Sequence, residues 1–142
     1  MGDQAPRGLP PLYLLVYLRR ARDHADRNYA EPLDLDELAR AAGISKYHFL
    51  RAFAAVYGVT PAAYLAQRRI ERAQDLLRST NLTVTEVCML VGYSSLGSFS
   101  SKFRQLVGVT PSEYQAEFAD GAPRIPGCYV FMHGLSDRKP VD

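Results

Sequence analysis

Apolar residues recur along most of the chain at three- and four-residue spacing, and the runs are separated by glycine, proline and small polar residues. This periodicity predicts helices. Leu14, Leu15, Leu18, Ala21 and Ala25 line one side of a helix over 12–28, which Ala30-Glu31-Pro32 ends. Leu35, Leu38, Ala39 and Ala42 mark a short helix capped by Asp34 or Asp36, whose carboxylate would accept otherwise unpaired N–H groups. Gly43 stops it in a tight left-handed turn and Ile44 plugs the core. Ser45 caps a helix over 46–57 with Phe49, Phe53, Val56 and Tyr57 inward. Gly58 ends that helix, Thr60 caps the next, and Pro61 opens a helix over 61–78, where a missing N–H costs nothing. Tyr64, Leu65, Ile70, Ala73, Leu76 and Leu77 fall on one side of it, and Arg68, Arg69, Arg72 and Arg78 on the other.

Beyond a polar loop, Thr83 or Thr85 caps a helix with Val84, Val87, Cys88 and Val91 inward. Gly92 turns the chain, Tyr93 takes the place of Ile44, and Ser94 or Ser95 caps a helix over 95–107 with Phe99, Phe103 and Leu106 inward. Thr110 and Pro111 start a last helix that runs to about Ala119. Residues 1–11 read as a flexible N-terminus and 121–142 as a C-terminal extension in which CYVFMHGL (128–135) is apolar.

The second half repeats the first. A shift of fifty places Phe49, Phe53, Gly58, Val59, Thr60, Pro61 and Tyr64 on Phe99, Phe103, Gly108, Val109, Thr110, Pro111 and Tyr114. Gly43 falls on Gly92 at a shift of forty-nine, so the second turn holds one extra residue. A short helix, a glycine turn and a capped longer helix make a helix-turn-helix arrangement. The expected fold is all-α: a seven-helix tandem helix-turn-helix pair, with a first unit over 12–60, a linker helix over 61–80 and a second unit over 81–120.

Charge separates the two copies. The net charge is only +2, with 23% charged and 47% hydrophobic residues. Yet between Arg40 and Arg78 seven basic residues face two acidic ones, and between Leu82 and Ala119 two basic face three acidic. A polyanion is therefore expected to be held mainly by the first unit. The two cysteines, Cys88 and Cys128, form no disulfide framework or C-x-x-C pair, and a reducing compartment is the simplest context. The apolar run LYLLVYL (12–18) is far short of a membrane span, and no membrane partner is expected.

These residues resemble the DNA-binding domain of the AraC/XylS family of bacterial transcription regulators. The first unit carries the resemblance in Ala39, Gly43-Ile44-Ser45, Phe49, Phe53, Gly58-Val59-Thr60-Pro61 and Tyr64; the linker carries it in Arg69-Ile70-Glu71-Arg72-Ala73 and Leu76-Leu77. The second unit carries it in Val87, Gly92-Tyr93-Ser94, Phe99, Phe103, Gly108-Val109-Thr110-Pro111 and Tyr114. The resemblance covers about residues 12–119 and implies seven helices, with double-stranded DNA as the partner. Nothing in the chain corresponds to a separate effector-binding domain, so the layout is closer to the small stand-alone members of the MarA/SoxS/Rob type, which act as monomers. The resemblance also implies activation through RNA polymerase and a cytoplasmic, nucleoid-associated location.

In a helix-turn-helix the second helix enters the major groove by its N-terminal part. With Phe49 and Phe53 inside, Lys46, Tyr47, Leu50 and Arg51 are left outward. Arg51 is the expected base reader, since a guanidinium can bond guanine O6 and N7 together; the alternative is a solvated arginine in a surface pair. Tyr47 and Leu50 would touch thymine methyls or simply pack. Ser45 and Lys46 at the helix start suit phosphate contact, and His48 is either a backbone contact or an ordinary half-buried histidine. The second reader offers Leu96, Gly97, Ser98, Ser101 and Lys102. It departs from the family, which often has an arginine where Ser101 stands, so the second unit is expected to add affinity and limited specificity. Arg69 in the linker is expected at phosphate or, equally, paired with an acid such as Glu37 or Asp36.

A helix over 61–78 is about 26 Å long, less than the ~34 Å between successive major grooves on one face of DNA. DNA bent toward the protein, or engagement by one unit only, is therefore expected. Direct repeats in one chain imply a non-palindromic site for a monomer. No enzyme is expected: His24, His48 and His133 have no metal spacing with each other or with cysteine, no phosphate loop or nucleophile motif occurs, and no cofactor is implied. The alternative function is a protein-interaction module of the same fold with little DNA binding of its own.

Overall fold

In the computed structural model, residues 11–119 and Pro126 are described. The first element is α1, Leu12–Asn28, with Leu14, Leu18, Ala21 and Ala25 buried and Leu15 only half-buried. It is followed by α2 (Leu35–Ala42), α3 (Lys46–Tyr57), α4 (Pro61–Ser79), α5 (Val84–Leu90), α6 (Leu96–Val107) and α7 (Pro111–Glu117). Seven helices among the described residues is the predicted architecture. The expected features of residues 1–10, the apolar stretch 128–135 and Cys128 lie outside the described residues.

The chain divides into two compact units. Among the described residues, one comprises those up to Asp26 together with Leu33–Tyr64; the other comprises Arg27–Pro32 and those from Leu65 onward. The linker helix is thus not a separate body, since its first turn belongs to the first unit and the remainder to the second. The short segment Arg27–Pro32 also leaves its sequence neighbours and joins the second unit.

Capping chemistry sets the helix starts. Asp34, not Asp36, accepts the Glu37 N–H at 2.8 Å. Thr83 rather than Thr85 caps α5, and Ser95 rather than Ser94 caps α6. The extra residue of the second turn is therefore absorbed between Gly92 and Ser95. Gly43 and Gly92 both take left-handed backbone, at φ 76° and 98°, as the turns require.

The two cores repeat side chain for side chain. Phe49 and Phe53 lie 5.5 Å apart by ring centroids, and Phe99 and Phe103 lie 5.8 Å apart. Tyr64 meets Phe53 edge-on at 5.8 Å, and Tyr114 meets Phe103 edge-on at 5.5 Å, a favoured aromatic geometry. Their hydroxyls differ. Tyr64 donates to Asp26 at 2.5 Å, whereas Tyr114 accepts from Arg78 at 2.8 Å. Cys88 is buried, as expected, and burial pushes its thiol pKa up. Leu106, expected inside, is 43% exposed: the buried sector of α6 holds only Phe99 and Phe103.

Helices α5 and α7 each begin with a reciprocal capping box, Thr83 with Glu86 and Thr110 with Glu113. The Thr110 N–H donates to Glu113 at 2.9 Å, and the carboxyl pKa falls below its ordinary 4.5 through the backbone bond first, then the Thr110 side chain, with Arg104 assisting. A lowered folded-state pKa means the contribution is fully present above about pH 4.5 and is lost as pH falls through the folded value. Glu113→Ala is accordingly expected to be less stable than the parent at neutral pH, and urea midpoints should converge as the pH drops below 4.5.

Candidate nucleic-acid interface

Ser45 starts α3 in extended backbone and its Oγ accepts the His48 N–H at 3.3 Å. From that fixed start, Phe49, Ala52 and Phe53 turn into the core. The opposite side of the helix then presents Lys46, Tyr47, His48 and Arg51, all exposed. Leu50 is half-buried at the edge of this face. Tyr47 is 71% exposed, far too open to be explained as packing within the chain. His48 is exposed, not the half-buried histidine that was the alternative.

Charge on this face is available. Lys46 Nζ lies 3.5 Å from Asp36 and 6.0 Å from the Tyr47 ring centroid, but both ends of the ion pair are open to water. Such a pair is worth little and exchanges easily. Arg51 has no hydrogen bond or ion pair with another described residue. No acidic side chain stands in the first turn of α3 or α6, whereas Glu86 and Glu113 occupy those of α5 and α7. The positive ends of the α3 and α6 dipoles are left without a carboxylate of their own.

Helix α6 is built in the same way. Ser95 Oγ accepts the Ser98 N–H at 3.2 Å, Phe99 and Phe103 are buried, and Leu96, Gly97, Ser98 and Ser101 are exposed. Lys102, expected outward, is half-buried on the flank of the buried face, three residues on from Phe99. A Cβ added at Gly97 would meet nothing closer than Ser95 Oγ at 3.7 Å, so crowding within the chain does not require glycine there. Arg104 and Gln105 are exposed on the last turn and were missed in the sequence. The signal was available: a shift of fifty sets them against Ala54 and Ala55 of α3.

A family profile described as a helix-turn-helix domain matches residues 38–117, more than half of the chain. The DNA-binding domain of AdpA, solved with a target DNA, is similar in structure, with a TM-score of 0.70 and 29% identity over 73% of this chain and 97% of that one. The chain belongs to the AraC-type helix-turn-helix family. Among AraC-type relatives, the transposon Tn10 TetD protein of Escherichia coli is 38% identical over 90 residues, 63% of this chain and 65% of that protein. The virulence regulon transcriptional activator VirF of Yersinia enterocolitica is 32% identical over 94 residues, 66% of this chain and 35% of its own length. The chain thus spans less than two thirds of either relative.

Within this AraC-type frame the arginines of α4 are not an open basic face. Arg69 donates from Nε to the Tyr29 carbonyl at 2.6 Å and from Nη2 to the Glu31 carbonyl at 2.9 Å, with its guanidinium 5.6 Å from the Tyr93 ring centroid. The expected partners Glu37 and Asp36 are replaced by main-chain oxygens. Arg68 bonds Glu71 at 2.8 Å, and Arg78 bonds Tyr114 and pairs with Asp75. The Tyr114 hydrogen bond is the main cause that raises the Arg78 pKa. Among the described residues no cluster of His, Cys, Asp or Glu could hold a metal ion, and no single helix is long and apolar enough to cross a membrane.

Proposed function

We propose that the chain is a sequence-specific double-stranded DNA-binding transcription regulator, an activator that works in the bacterial cytoplasm and binds a non-palindromic site as a monomer. The observation that carries this reading is the outward face of α3, where Arg51 is exposed one turn beyond Tyr47 and has no hydrogen bond or ion pair with another described residue. Arg51 would read guanine through O6 and N7, Tyr47 and Leu50 would meet thymine methyls, and Ser45, Lys46 and His48 would hold phosphates. Leu96, Gly97, Ser98, Ser101 and Lys102 of α6 would contact a second stretch of the site. The chain acts by binding rather than catalysis; the name of the activator VirF supports activation, which would run through RNA polymerase.

The test is equilibrium binding to duplex DNA. Affinity for mixed genomic DNA should fall steeply as salt rises, because each neutralised phosphate releases counterion. Arg51→Ala should cost about 1–3 kcal/mol on the selected site and relax preference at one base position. Lys46→Ala should weaken all sequences alike and reduce the salt slope by about one. Retention of no DNA even at low salt would sink this reading. It would favour the second one, a protein-interaction module, to which the 64% exposed Met89 and 43% exposed Leu106 of the near-neutral second unit lend weight.

A further inference from the structure

The two reader helices share a frame but distribute their bulk in opposite order. Aligned at a shift of fifty, the outward face of α3 runs Tyr47, His48, Arg51, Ala55. The outward face of α6 runs Gly97, Ser98, Ser101, Gln105, all exposed. Large side chains lead in α3 and give way to alanine in its last turn. In α6 the positions that match Tyr47, His48 and Arg51 present a hydrogen atom and two hydroxymethyl groups behind Leu96 at the helix start, and long polar side chains are exposed only at Arg104 and Gln105 in the last turn.

A helix fits a major groove about 12 Å wide and about 8.5 Å deep. The side chains of its leading turns set how closely the backbone can approach the base edges. Tyr47 and Arg51 hold α3 off by their own length. On the first two turns of α6 the one large exposed side chain is Leu96, shorter than either, and the open space at Gly97 shows that crowding within the chain does not require glycine there. A closer approach brings the last turn within reach of the bases. Gln105 follows Ser101 by four residues on the same helical line. Its carboxamide has no hydrogen-bond partner among the described residues. A glutamine amide pairs with adenine N6 and N7 together. Arg104 beside it helps to lower the Glu113 carboxyl pKa, as the least of its causes.

Resting on the DNA-binding reading above, we infer that Gln105 is a specificity-determining residue of the second unit. It reads an adenine in the major groove, and Gly97, Ser98 and Ser101 supply the clearance that lets it do so. The second unit then reads sequence from its last turn, where the first unit reads from its leading turns.

The experiment is selection from a randomised duplex pool with the full chain, followed by binding to every single-base variant of the selected site. The parent should show an A·T preference of roughly 10- to 100-fold at one position that Arg51→Ala leaves intact. Gln105→Ala should flatten that position alone and keep the affinity for unrelated duplex and its salt slope. Gln105→Arg should convert the preference there from adenine to guanine. Unchanged preferences in both variants, or an equal loss at every position, would overturn the proposal. If the parent selects no sequence and shows no salt-dependent binding to any duplex, the DNA-binding reading fails first and this proposal with it.

Discussion

Gly92→Ala is expected to destabilise the chain by about 3 kcal/mol or more, while Gly43→Ala, at the matching turn of the first unit, should cost about 1–2 kcal/mol. Both glycines hold left-handed backbone, at φ 98° and 76°, and an L side chain is strained at either. Their surroundings differ. A Cβ on Gly43 meets nothing within 4 Å. A Cβ on Gly92 would lie 2.9 Å from the Tyr29 carbonyl oxygen, 3.0 Å from Ala30 Cα and 3.1 Å from the Ala30 carbonyl carbon. These are main-chain atoms, which cannot rotate away as the end of a flexible side chain can. The backbone strain is common to both substitutions, and the steric term, about 1–3 kcal/mol, belongs to Gly92 alone. Urea unfolding of the two variants beside the parent measures the difference. Equal losses would mean that the close approach carries no energy.

That contrast shows how far the sequence could be read. The helices were legible because each carries its own instructions: Phe49 and Phe53 fix which face of α3 is inward, and so which face carries Arg51. The capping residues Ser45, Thr60 and Thr110 fix where α3, α4 and α7 begin. What escaped were contacts between a side chain and distant backbone. Gly43 and Gly92 look alike as letters, and only the passage of Tyr29–Ala30 across Gly92 separates them. Arg69 was set against carboxylates because carboxylates have a letter in the sequence, whereas the carbonyls it bonds belong to every residue. The candidate site divides along the same line. Tyr47, His48 and Arg51 follow from the helical period, but the half-burial of Lys102 depends on how far the covered side of α6 spreads around Phe99 and Phe103. Leu106 failed for the same reason, since helical spacing placed it inside a sector that ends at Phe103.

Replacing Arg69 should produce the other large loss of stability, because that side chain ties Arg27–Pro32 to the second unit. Its Nε and Nη2 donate to two carbonyls of the segment at 2.6 and 2.9 Å, and its plane lies against Tyr93, the residue that follows Gly92 in the turn. Burial lowers the guanidinium pKa and Tyr93 partly offsets this, while the planar charged fork fits two carbonyl acceptors at once. A hydrogen bond from a charged donor contributes about 1.5–3 kcal/mol, and Arg69→Ala should cost about 3 kcal/mol once both carbonyls lose their donor. Arg69→Lys keeps a positive charge but can supply neither the fork nor the flat face, so it should recover less than half of that loss. The Tyr29 carbonyl is shared: it accepts from Arg69 and abuts Gly92. The two substitutions should therefore be non-additive, with Gly92→Ala costing less in the Arg69→Ala background than in the parent, by about 0.5 kcal/mol or more. A double-mutant cycle by urea unfolding decides it. Strict additivity, or full rescue by lysine, would mean that Arg69 acts as a simple surface charge and that the segment is held by something else.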